Sequence, residues 1–278
     1  MLQNCAALAT AVLIAVAVPV TAQEARPTDA LLDALGLSET VAVMRKEGLS
    51  YGGELAEDML PGGVGASWTQ AVERIYDTDR MEETVRVSFA RAWAEEGQEL
   101  DDIATFFASD QGQEVVRLEI SARDAMTEPG VEETARAAFR EQEDSGRDDT
   151  RIAQITRFIE ANDLINANVV GAMNSSYEFY AGLVDGGAFE MTEDEILRVV
   201  WDSEPDSRIE TREWLFAYMM MAYRPLDEAA LRDYVDLAAS DAGQALNRAL
   251  FAGFDEMYAE ISYALGLSLA RQMTAQEL

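Results

Sequence analysis

The side chains that could do chemistry in this chain are defined first by what is missing. Its 278 residues include no histidine, one cysteine (Cys5) and one lysine (Lys46). Ser-His-Asp and Cys-His catalysis, ordinary zinc and copper sites, and haem held by histidine all need residues that are absent. A Schiff base could come only from Lys46, in the charged stretch "MRKEG", where a solvated amine is expected. Carboxylates, hydroxyls, tyrosines and arginines remain. Adjacent acids are plentiful, at Glu82-Glu83, Glu95-Glu96, Asp101-Asp102 and Glu132-Glu133. A glycosidase needs two carboxylates across a cleft, one with a raised pKa, and spacing along the chain does not set that separation. On helices most such pairs belong to solvated faces. No Asp-x-Asp-x-Asp-Gly calcium loop is present, and "EDSGRDD" is only a loose match. No residue is therefore assigned to catalysis, to a cofactor or to a metal.

One pattern is written twice. "LDDIATFFASDQGQEVVR" begins at Leu100 and "LRDYVDLAASDAGQALNR" at Leu231, an offset of 131 residues. The same offset pairs Asp102 with Asp233, Arg117 with Arg248, Asp124 with Asp255 and Met126 with Met257. The recurring Asp102 and Asp233 are the first carboxylates to test for hydrolysis. The motif itself, Ser109, Asp110, Gly112 and Gln113 with Ser240, Asp241, Gly243 and Gln244, reads as a structural device. Serine directly before a helix is an N-cap, and Asp at the first helical position suits the positive end of the dipole. Glycine two positions later costs about 1 kcal/mol of helix propensity relative to Ala. Close approach of the preceding chain is the expected compensation, with the glutamine bonding back across the turn.

Apolar residues fall at helical spacing almost throughout, and alternating β-branched runs are missing. An all-α chain is expected, built as two tandem, related helical units of antiparallel helix hairpins. Helices are predicted over 30–48, 51–60, 67–77, 80–96, 99–108, 110–127, 131–143, 151–184, 193–201, 207–223, 227–239 and 241–267. Thr192 and Glu195 form a capping-box signature before "ILRVV". The charged segment at 144–150, within "REQEDSGRDDTR", marks the boundary between a first unit at 23–143 and a second at 151–278. "WLFAYMMMAY", from Trp214 to Tyr223, is apolar around most of its circumference, as in a core helix or a Met-lined groove. "SSYEFYAGL" from Ser175 presents Tyr177, Phe179 and Tyr180.

Residues 1–22, "MLQNCAALATAVLIAVAVPVTA", carry no charged side chain and end in Val-Thr-Ala. They read as a secretory signal peptide cut after Ala22, its apolar run short for a membrane span. The mature chain is then periplasmic or secreted, lacks cysteine, and has no later segment long enough to span a bilayer. Lys and Arg total 21 against 52 Asp and Glu, a formal net charge of -31. Such a field repels polyanions, so nucleic acid and anionic lipid are poor partners.

"ATFFASDQGQEVVRLE" resembles an exported bacterial family described as the domain of unknown function numbered two thousand and fifty-nine. The likeness rests on Phe106, Phe107, Ser109, Gly112 and Gln113, and more weakly on the second copy, where Leu237 and Ala238 replace aromatics. Asp110 and Asp241 stand where that family usually has proline, and either residue suits a first helical position. The resemblance covers about 80–140 and 210–268. It implies a helical periplasmic protein and brings no catalytic residue. The expected function is a non-enzymatic cell-envelope module that binds a protein, peptide or apolar ligand. A carboxylate-based hydrolase acting on envelope material is the alternative.

Overall fold

A computed structural model describes residues 26–60, 62–146 and 149–276, and these form an all-α protein. The expected signal peptide lies outside the described residues. Among the described residues no helix is long and apolar enough to cross a membrane.

The chain opens with α1 (Asp29–Ala34) and α2 (Leu37–Met59). The predicted 30–48 helix breaks at Gly36, whose φ of 66° is left-handed and suits glycine. The predicted break near Gly48 does not occur. A Cβ on Gly48 would stand 2.1 Å from the Tyr76 ring, and one on Gly52 would stand 2.6 Å from Val72. These glycines let α2 lie against α3 (Ala66–Ile75), and Trp68 Nε1 donates to the Gly52 carbonyl at 2.7 Å. Close packing, not helix ending, accounts for them.

Next come α4 (Thr78–Glu96), α5 (Asp101–Ala108), α6 (Asp110–Met126) and α7 (Val131–Ser145). The predicted 151–184 helix is two, α8 (Thr150–Ala161) and α9 (Leu164–Asp185), separated where Asp163 takes φ 48°. Then follow α10 (Glu193–Asp202), α11 (Glu204–Tyr223), α12 (Glu228–Ala238) and α13 (Asp241–Gln276). The capping box of Thr192 and Glu195 is present at the start of α10. Helix α7 runs into the predicted 144–150 linker as far as Ser145, and α8 starts at Thr150.

Packing ties early helices to late ones. The longest helix, α13, packs on α9 and on α4, while α11 packs on α7 and α6. Thus the helix after each motif lies against a helix from the other half of the chain. Arg248 pairs with Glu96 and Arg80 with Glu260, so α4 and α13 run antiparallel. Contacts between α9 and α13 instead advance in the same direction along both. A Cβ on Gly182 would meet the Tyr263 carbonyl at 2.3 Å, and one on Gly266 the Phe179 carbonyl at 2.1 Å. The two backbones therefore touch at this point. Toward the N-terminal ends of both helices, side chains stand between them, and there a cavity opens.

Candidate ligand-binding cavity

The two Ala-Ser-Asp-x-Gly-Gln strings make the same corner. Ser109 and Ser240 each accept the amide of the glycine three residues on, at 3.1 Å, and each donates to a carbonyl three residues back, at 2.6 Å. A Cβ on Gly112 or Gly243 would stand 2.1 Å from the Phe106 or Leu237 carbonyl oxygen. Gln113 bonds back to the Phe107 and Ala34 carbonyls, and Gln244 to that of Ala239. Asp110 and Asp241 occupy the first turns of α6 and α13. The motif thus begins both α6 and α13, and residues of both helices line one cavity.

A cavity of about 690 Å³ lies between them, walled by α9, α11, α12 and neighbouring helices. Its walls are largely apolar, with Met44, Phe107, Phe158, Met219, Leu250 and Phe254 among them. The Met-rich run of α11 contributes Trp214, Leu215, Tyr218, Met219 and Tyr223 on one face, while Phe216 stacks on Phe139 elsewhere. A second hollow of about 530 Å³, lined by Tyr51, Tyr76, Phe179 and Tyr180, shares Met44, Ala172, Ser175 and Tyr258 with the first.

Polar groups of the main cavity include a cluster held in place around Glu119. On α6, Val115, Ala122 and Met126 are buried, and Glu119 falls between them on the same face. Tyr223 and Tyr234 both donate to Glu119 Oε1, at 2.6 and 2.9 Å. Tyr218 donates to the Glu119 backbone carbonyl at 3.1 Å. Glu119 is partly buried and lines the cavity. Burial raises its pKa, with the two tyrosine bonds pulling the other way. The three phenols are themselves held well above their ordinary value, first by burial and then by the Glu119 charge. Rings fix them in place: Tyr234 stacks on Phe106 at 5.8 Å, Tyr223 meets Tyr234 edge-on at 5.9 Å, and Trp214 stacks on Tyr218 at 5.0 Å.

One turn along α6, Arg123 is bound bidentately by Glu47 at 2.9 and 2.8 Å and also donates to the Tyr258 hydroxyl at 3.3 Å. Burial opposes its charge, but Tyr258 and Glu47 outweigh that and keep the guanidinium protonated. Asp255 on α13 is set apart from Glu119 by its lack of partners and from Glu210 by its burial. It is half-buried, has no hydrogen bond or ion pair among the described residues, and burial raises its pKa.

The acids singled out from the sequence lie elsewhere. Asp102 and Asp233 are exposed on α5 and α12, outside the cavity. Glu96 pairs with Arg248, Glu132 with Arg136, Glu133 with Arg140, and Glu82 with Arg86. Among the described residues no three potential metal ligands gather. Sequence reasoning missed Glu119 and Arg123, and met Asp255 only as the counterpart of Asp124. The available signal was a charge interrupting an apolar stripe: Glu119 between Val115 and Ala122, and Asp255 between Phe251 and Tyr258.

No family model, curated protein or solved structure matches the chain. The cavity's own chemistry therefore carries the functional reading.

Proposed function

We propose that this chain is an exported, non-enzymatic binding protein whose central cavity takes up a small, largely apolar molecule. The observation that carries the reading is the cavity itself, about 690 Å³, walled largely by methionine, leucine and aromatic side chains, with polar groups such as Glu119 held in fixed positions. Pockets of that size and character are typical of small-molecule sites. The same reading takes the chain as two divergent copies of one exported helical unit, related to the family its motifs resemble. The matched corners at Ser109 and Ser240 support that ancestry. The hydrolase alternative gains nothing from Asp102 and Asp233, which are exposed and outside the cavity.

Titration with a neutral apolar fluorophore, N-phenyl-1-naphthylamine, tests the proposal. Saturable one-to-one fluorescence enhancement is expected, weakened by Leu250→Trp, which puts an indole into the cavity wall. Absence of saturable binding to the folded wild-type protein overturns the reading.

A further inference from the structure

The charges facing the cavity do not balance. Five charged side chains line it: Glu119, Arg123, Arg136, Glu210 and Asp255. Both arginines are already engaged, Arg123 by Glu47 and Arg136 by Glu132. Glu210 is exposed. Glu119 accepts two tyrosine hydroxyls on one oxygen, and its other oxygen takes no hydrogen bond from the described residues. Asp255 has nothing at all. A half-buried carboxylate without a donor is costly, because neither water nor a partner fully replaces its hydration.

The surroundings of Asp255 make room for it. A Cβ on Gly171 would stand 2.6 Å from Asp255 Oδ1, so any side chain there would displace the carboxylate. Gly171 lies within α9, where glycine weakens a helix. Its place is explained by leaving the carboxylate space beside the cavity. Phe251, Phe254 and Tyr258 flank Asp255 on α13, and Trp214 and Tyr218 line the same cavity from α11. Aromatic faces attract cations, most strongly where water is excluded. The protein's net charge of -31 adds a field that draws cations inward.

We propose that the cavity's ligand is an organic ammonium ion on an apolar body, its charge held by Asp255 and the neighbouring aromatic rings. The ammonium supplies the donor that Asp255 lacks, and the body occupies the Met- and Leu-lined wall. This inference rests on the cavity-binding reading above and narrows it to one ligand class.

The test is competition against bound N-phenyl-1-naphthylamine by n-octylammonium, 1-octanol and octanoate at one ionic strength. Octylammonium is expected to displace the fluorophore at a concentration at least tenfold lower than octanol, with octanoate weakest. In Asp255→Asn, close in size to the original, the ratio of amine to alcohol affinity, each taken by competition or by direct calorimetric titration, collapses toward one. Asp233→Asn, which removes an exposed carboxylate, keeps the preference and so separates the site from the general field. Equal displacement by amine and alcohol, or a preference that survives Asp255→Asn, overturns this inference and leaves the cavity reading intact. A wild-type protein that binds no fluorophore overturns both.

Discussion

Gly112 lies so close to Phe106 that a Cβ added to it would stand 2.1 Å from the Phe106 carbonyl oxygen. Gly243 stands in the same relation to Leu237. Alanine would gain about 1 kcal/mol of helix propensity at either site. Backbone overlap outweighs that gain, since overpacking costs about 1–3 kcal/mol. Gly112→Ala and Gly243→Ala are therefore each expected to destabilise, read as a lower denaturation midpoint in urea. Unchanged or raised midpoints would mean the corner has slack.

The serine caps give a smaller effect. Ser109→Ala and Ser240→Ala each lose the bond to the third amide of the following helix. Each is expected to lower stability by about 1 kcal/mol. The two losses should add, because the two caps share no hydrogen-bond partner. Chemical denaturation of both single variants and the double variant checks this.

Glu119 separates two effects that a single substitution would confuse. Glu119→Gln keeps an oxygen for Tyr223 and Tyr234 and is expected to change stability by less than about 1 kcal/mol. Glu119→Ala leaves two buried hydroxyls without their acceptor, at about 1–3 kcal/mol for a lost partner. The alanine variant should therefore unfold well before the glutamine variant in a thermal melt. If the two melt together, the tyrosine bonds contribute nothing.

The same residue sets part of the pH response. Burial raises the Glu119 pKa in the folded protein above its ordinary value of 4.5. Between that value and the raised one, the unfolded chain has released the proton and the folded chain retains it. Folded protein then binds more protons, so the Glu119 contribution to stability falls as pH rises through this window. Asp255, raised by burial from 3.8, acts in the same sense. Paired carboxylates such as Glu96 are lowered, chiefly by their arginine partners, and act in the opposite sense on the acid side. The difference between wild type and Glu119→Gln isolates one group. Stability of Glu119→Gln relative to wild type is expected to increase from pH 4.5 upward, and a flat difference would refute the shift.

The helical class and the corner motif were legible because both are local. Apolar spacing reports a helix within a few turns, and Ser-Asp-x-Gly-Gln declares its own cap. Glycine was ambiguous for a physical reason. Gly36 ends a helix by its left-handed backbone, whereas Gly48 and Gly52 sit inside one and admit a neighbouring helix. The sequence looks alike in both cases, and only the partner at Tyr76 and Val72 distinguishes them. The cavity was less legible still. Its polar groups come from α2, α6, α11, α12 and α13, far apart in sequence. The 131-residue offset did not point to them either: it matches Glu119 with Leu250 and Arg123 with Phe254. Asp124, the counterpart of Asp255, lies on the surface and pairs with Lys46.

The backbone contact between Gly182 and Gly266 lies outside the cavity, yet it governs the space within. Helices α9 and α13 are clasped there, and their other ends form two of the cavity's walls. A methyl group added at position 266 acts as a shim in a pair of tongs, prising the helices apart at the grip. The volume of the cavity is thus set in part from a distance, by residues outside its wall.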